Sequence, residues 1–121
     1  MKHDNVEYKV IEDKRIVVAQ IHGISYDAIN VFNKKFMAHA TSHLSMTAWY
    51  DQKFFMPLSM KAVARCIPGD EFSVEEGKKI ALKKLSEKYN KSLDRHLAHI
   101  AKAMQKCLDN MNVYLKTHKV I

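Results

Sequence analysis

Hydrophobic and charged residues alternate between positions 6 and 10, the pattern of a β-strand with one buried face. Residues 16–21 are rich in β-branched side chains, which strands prefer. We therefore predict a hairpin of two strands, at about 5–11 and 15–22, joined by the polar residues between them.

The hydrophobic residues that follow recur at steps of three and four, which predicts a helix. Its apolar positions are Ile29, Phe32, Phe36 and Ala40. Ser25 is the expected N-cap, since its side chain can accept a hydrogen bond from the first turn. We expect this helix to cover one face of the sheet.

Two or three more strands are predicted after this helix. Residues 44–51 have a strand pattern, and residues 51–53 a turn. Pro57 interrupts the chain because it lacks the N–H that a central strand needs, so the last strand is placed at about 60–66. The sheet then contains four to five strands, mostly antiparallel.

A final helix begins at the best-marked boundary in the chain. Ser73 and Glu76 have the spacing of a capping box. Gly77 costs a helix about 1 kcal/mol relative to alanine, so it indicates close packing on a strand or a merely tolerated glycine. A shift in the apolar pattern at 89–92 predicts a kink or a break into two helices.

Hydrophobic residues in the second half of this helix follow a heptad pattern. The seam comprises Leu93, Leu97, Ile100, Met104, Cys107, Met111 and Tyr114, widened by Ala101, Leu108 and Leu115. A continuous helix over 74–117 would be about 66 Å long, whereas a chain of this size is about 35 Å across. The helix therefore either breaks, or projects and covers its apolar face with a second chain, as in a homodimer.

Together these elements predict an α+β fold. It has a small, mostly antiparallel sheet, one helix after the first hairpin, and a long, kinked C-terminal helical segment. We expect a single domain over 1–121, with the sheet and one helix in 1–73 and the helical segment in 74–119.

The composition is that of a folded chain, with 47% hydrophobic residues, 3 Gly and 2 Pro among 121 residues. The 2 Cys are too few for a disulfide-stabilised secreted protein. No apolar run approaches the roughly 20 residues that span a bilayer, and the N-terminus lacks the apolar core of a signal peptide. We expect a cytoplasmic protein that does not bind membranes.

The net charge of +7 is concentrated near the C-terminus. Residues 74–121 contain 11 basic and 5 acidic residues. In the heptad phase, six basic residues lie on the side opposite the apolar seam, and we predict that they bind nucleic acid: Lys84, Lys88, Lys91, Arg95, Lys102 and Lys106. Lysine is also a favoured solvent-facing residue of helices, so the same pattern is typical of an ordinary solvated face.

The histidines and cysteines in the sequence do not indicate a metal site or a reactive thiol. His39/His43 and His96/His99 have helical spacing, but no third ligand is marked nearby, so we predict ordinary surface or interfacial histidines and no cofactor. Cys107 lies on the seam and is expected in the core.

Aromatic and acidic clusters have plain structural interpretations. Trp49, Tyr50, Phe54 and Phe55 could stack on unpaired bases, but such a cluster more often forms half of a core. Asp70 and Glu71 look like turn and helix-entry residues, because no companion acid or base supports catalysis.

A strand–turn–helix segment resembles a known group of sequences. Residues 61–73, Lys-Ala-Val-Ala-Arg-Cys-Ile-Pro-Gly-Asp-Glu-Phe-Ser, followed by Gly77 and Ile-Ala-Leu at 80–82, resemble a V-A-x-C-x-P-x-D-x-F signature. That signature occurs in short, uncharacterised phage and prophage proteins of Gram-positive bacteria. The resemblance covers about 20 residues and implies an accessory role in the cytoplasm of a host cell, without catalytic residues.

These patterns lead to two functional hypotheses. The first is a small non-enzymatic phage or prophage protein that engages nucleic acid or a nucleoprotein complex through its basic C-terminal helix. The alternative is a protein-interaction module that inhibits a host protein, such as an anti-defence or host-takeover factor of the anti-CRISPR type. An enzyme is the least supported reading, because no complete set of catalytic residues can be assembled.

Overall fold

The fold consists of two layers, a three-stranded sheet and two helices. The computed structural model describes residue 1 and residues 5–37 and 51–117. Its elements, in chain order, are β1 (Val6–Ile11), β2 (Ile16–His22), α1 (Asp27–Phe36), a 3₁₀ turn (Gln52–Phe54), β3 (Ser59–Arg65) and α2 (Val74–Thr117). The sheet order is β1-β2-β3, with both pairs antiparallel.

The central strand, β2, supplies most of the sheet's buried residues, and Met60 and Ala64 of β3 add to them. Val17, Ala19 and Ile21 alternate on one face and are buried. Val17 lies opposite Val10 of β1 and Ala64 of β3 in the register. Since side chains in a strand alternate between faces, this register directs one apolar row from each strand toward the helices.

The long helix, α2, packs across β2 and β3 and against α1. Gly77 allows this close approach, because a Cβ atom there would lie 2.5 Å from Cγ2 of Val17. Ser73 caps α2 by accepting a hydrogen bond from the Glu76 N–H at 3.3 Å. The predicted start of the helix and the close-packing reading of its glycine are both confirmed.

Only the first part of α2 is covered by the rest of the molecule. Its fully buried residues are Ala81, Leu85, Tyr89, Ser92 and Ile100. From residue 105 to residue 117 every side chain is exposed. The helix therefore projects beyond the two-layer body. This is the outcome expected for an unbroken helix, because such a helix is longer than a body of this size.

Three predictions about individual elements are wrong. The described residues form three strands instead of four or five, and most of the strand predicted at 44–51 lies outside the described residues. α2 runs unbroken through 89–92, because a step of three between the buried Tyr89 and Ser92 keeps the same face on the body. Cys107 is exposed because the core ends before it.

The first helix begins later than predicted. Its N-cap is Tyr26, which makes no side-chain capping bond, and the Ser25 carbonyl instead accepts from the N–H of Met56 at 2.9 Å. Asp27 lies in the first turn of α1, where its negative charge interacts favourably with the helix dipole.

None of the helices in the described part of the chain has the apolar length needed to cross a membrane.

Candidate nucleic-acid interface

The six basic residues predicted on the final helix form one row on its surface, which we name the basic ridge: Lys84, Lys88, Lys91, Arg95, Lys102 and Lys106. At 3.6 residues per turn these positions fall within an arc of about 60°, and at 1.5 Å per residue they extend over about 33 Å. Because α2 is continuous over this whole segment, the ridge is continuous as well.

The basic ridge borders the packed face of α2 along the edge of β3, on the side of the helix away from the predicted apolar seam. Lys84 Nζ donates to the Val63 carbonyl at 3.2 Å, and Lys88 Nζ donates to the Lys61 carbonyl at 3.3 Å. β3 is an edge strand, so every second carbonyl has no strand partner. These two lysines satisfy such carbonyls while their charge remains at the surface.

A basic groove lies where the ridge meets β3. Its volume is about 540 Å³, and its lining includes Lys61, Lys88, Lys91 and Arg95. Among the described residues no carboxylate lines this groove. Four cations around one concavity create a positive field that attracts anions.

Neutral polar groups complete the lining of the basic groove. Gln20, Ser59 and Ser92 contribute to it. Ser92 is 4% exposed, and within the described part of the chain its hydroxyl has no hydrogen-bond partner. Accessible hydroxyl and amide groups beside cations, such as those of Ser59 and Gln20, are common contacts for phosphate oxygens, whereas the Ser92 hydroxyl is buried.

The ridge is not neutralised by neighbouring acids. Across residues 5–37 and 51–117 the salt bridge found is between His22 and Glu7, at 3.8 Å. Glu87 and Asp94, on the same helix, form no ion pair with a ridge residue in the described structure. Within the described residues, the cations of the ridge are therefore not paired with carboxylates.

The histidines do not assemble a metal site in the described residues, where no cluster of three metal-ligating side chains is found. His96 Nδ1 lies 2.7 Å from the Lys53 carbonyl, and the rings of His96 and His99 are 6.1 Å apart. His39 and His43 lie outside the described residues.

The segment that resembles the phage signature has a structural role here. The Arg15 guanidinium donates to the Asp70 carbonyl and to Cys66 Sγ, and the Cys66 N–H donates to the Arg15 carbonyl at 3.0 Å. These contacts join the hairpin turn to the turn before α2. Asp70 and Glu71 are both exposed there.

The two described members of the predicted aromatic cluster, Phe54 and Phe55, pack in or against the core. Phe54 is buried, and Phe55 packs edge-on against Tyr26 with ring centroids 5.1 Å apart. Trp49 and Tyr50, the other members of the predicted cluster, lie outside the described residues.

No protein-family model, curated protein or solved structure matches the chain.

Sequence reasoning identified three of the four cations in the basic groove and missed Lys61. Lys61 and Arg95 belong to separate elements 34 positions apart, so only the packing of β3 beside α2 shows that they are neighbours. Ser92 was hidden for another reason, because a serine at a buried helical position has no pattern that distinguishes it from a surface serine.

Proposed function

We propose that the protein is a small, non-enzymatic phage or prophage accessory protein that binds nucleic acid, alone or in a nucleoprotein complex, through the basic ridge. The observation that carries this proposal is a row of six cations that form no ion pair with the described residues, together with a groove lined by four cations. Phosphate backbones are bound mainly through such lysine and arginine contacts.

The length of the ridge favours a polymer over a small anion. A free phosphate would occupy the basic groove alone, beside Lys91 and Arg95. Lys102 and Lys106 extend the row beyond the groove along an exposed part of α2. A polyphosphate chain can contact the whole row and displace a counterion at each contact.

Two residues of the ridge also have a structural role, which does not account for the other four. Lys84 and Lys88 protect the edge of β3 by capping its carbonyls. Lys91, Arg95 and Lys102 make no such bond in the described structure, so edge protection gives no reason for their alignment. These three residues therefore test the binding function without removing the edge contacts.

The experiment measures how affinity for labelled duplex and single-stranded oligonucleotides changes with salt, by fluorescence anisotropy. Neutralising about five phosphates predicts a log–log slope near −4.5 on duplex DNA. The triple variant Lys91→Gln, Arg95→Gln, Lys102→Gln should bind more weakly, with a slope shallower by about 2.7, since each lost contact removes about 0.9.

A matched control removes the same charge elsewhere. The triple variant Lys34→Gln, Lys79→Gln, Lys83→Gln changes three exposed lysines outside the ridge. Its salt slope should equal that of the unmodified protein. Equal slopes for both triple variants would show that net charge, and not the ridge, controls binding, and the proposal would then be rejected.

The alternative, a module that binds and inhibits a host protein, is favoured by a different observation. Large hydrophobic side chains are exposed on the projecting end of α2, including Met111 and Tyr114. A partner that binds this apolar surface would remain bound in high salt, whereas nucleic acid would dissociate.

A further inference from the structure

An apolar row runs along α2 from the body of the molecule, where Leu97 and Met104 are partly buried, onto the projecting end, where its side chains are exposed. We call it the apolar row: Leu97, Ala101, Met104, Leu108, Met111 and Leu115. Its members alternate at steps of four and three, which is the spacing of a coiled-coil seam. Leu108, Met111 and Leu115 are 49%, 57% and 56% exposed.

An apolar groove between α1 and α2 holds the first half of this row. It has a volume of about 500 Å³ and is lined by Phe32, Phe36, Leu97, Ala101 and Met104, with Asp94 and Ala98 beside them. Phe36 is 66% exposed. The inter-helix groove and the projecting half of the row therefore form one continuous apolar surface.

We propose that a second copy of this chain covers this surface, with the two α2 helices antiparallel. The alignment that pairs the row with itself places Leu97 opposite the partner's Leu115, Ala101 opposite the partner's Met111, and Met104 opposite the partner's Leu108. Six layers result, because each pairing occurs twice by symmetry. The seam is about 27 Å long at 1.5 Å per residue.

The antiparallel direction is favoured because it fills both inter-helix grooves. Each projecting end reaches the groove beside Phe36 of the other copy, where the row begins. A parallel pair would bring the two projecting ends together and would leave both inter-helix grooves uncovered. One symmetric contact thus covers both the inter-helix groove and the projecting half of the apolar row.

The available area suits a dimer. Half of a large side chain corresponds to roughly 100 Å², and Leu108, Met111, Leu115 and Phe36 are each about half exposed or more. These four side chains provide apolar area on the order of 400 Å² per chain, and the rest of the groove lining with the neighbouring polar atoms raises the contact toward the roughly 800 Å² per partner of stable complexes.

Charge does not oppose this contact. The six residues of the row are all apolar, and the basic ridge lies about 150° away around the helix at 100° per residue. The cations of both copies therefore point away from the seam, and the dimer can form without bringing the two ridges together.

The first test is the mass of the protein in solution. Sedimentation equilibrium at micromolar concentration should give twice the 14.0 kDa mass of the chain. The double variant Leu108→Gln, Met111→Gln should sediment as a monomer, with its helix content checked by circular dichroism. The control Val113→Gln changes an exposed apolar residue outside the row and should remain dimeric.

The second test fixes the direction of the helices by disulfide crosslinking, in a Cys107→Ser background. A mixture of Ala101→Cys chains and Met111→Cys chains should form mixed crosslinked dimers, because these positions face each other in the antiparallel pair. Met111→Cys chains alone should crosslink no more than the background.

Three results would overturn the proposal. They are a monomeric mass for the unmodified protein, a dimer that persists in the Leu108→Gln, Met111→Gln variant, and crosslinking of Met111→Cys chains with one another. The last would indicate a parallel pair.

Discussion

At the scale of single residues, Tyr89 makes the contact that joins the two helices most directly. Its side chain is buried, and its hydroxyl donates to Asp27 Oδ2 at 2.7 Å. Burial raises the pKa of Tyr89 well above its usual value near 10, and the hydrogen bond to Asp27 and the charge of that carboxylate raise it further. The neutral phenol is therefore the form that the fold requires.

This raised pKa predicts that the protein loses stability in alkali. In the unfolded chain the phenol ionises above about pH 10, whereas in the folded chain it keeps its proton. The contribution of Tyr89 is thus fully present below about pH 10 and is lost as the pH rises through its folded pKa. Urea unfolding curves between pH 8 and about pH 11 should show the fall.

The variant Tyr89→Phe separates this effect from general alkaline damage. It should lose about 1–2 kcal/mol at neutral pH, because the hydrogen bond is removed and the ring is kept. It should also show a weaker fall in stability above about pH 10. Tyr26→Phe, at an exposed position, is the control. If Tyr89→Phe kept the full alkaline dependence, another group would be responsible.

At the scale of secondary structure, the approach of α2 to β2 depends on one missing side chain. Gly77→Ala would place a methyl group 2.5 Å from Cγ2 of Val17, which is fully buried. Overpacking of this kind costs about 1–3 kcal/mol, while alanine gains about 1 kcal/mol of helix propensity. We expect a net loss of up to about 2 kcal/mol in denaturant unfolding.

A double-mutant cycle with Val17→Ala tests that cause. Removing the valine methyl groups makes room for the new Cβ atom, so the alanine at position 77 should cost less in that background. If the losses of unfolding free energy for Gly77→Ala and Val17→Ala were additive, the two side chains would not be in contact.

An element can be predicted from the sequence when the residues that determine it lie close together in the chain. The hairpin and the start of α2 follow from patterns within a few residues, namely alternation in β1 and β2 and the Ser73 cap. The continuity of α2 does not, because the shift in the apolar pattern at 89–92 predicts a kink or a break until the burial of Tyr89 and Ser92 against the body is known. The exposure of Cys107 likewise depends on where the body ends.

At the scale of the whole molecule, α2 presents different chemistry on different sides. One face packs on the sheet, the basic ridge borders that face along the edge of β3, and the apolar row lies about 150° from the ridge. The row of cations could be predicted from sequence because it lies within one helix. The basic groove could not, because Lys61 comes from β3.

If both proposals hold, this arrangement makes the dimer a bridge between two nucleic acid segments. In the antiparallel pair each ridge faces away from the seam, so one straight duplex cannot contact both ridges. We therefore expect the protein to capture a labelled duplex onto beads that carry an unlabelled duplex. The Leu108→Gln, Met111→Gln variant should bind a single duplex with unchanged affinity, because its ridge is intact, but should capture none. Capture by the monomeric variant, or failure of a dimeric, duplex-binding protein to capture, would show that the two ridges do not act from opposite sides.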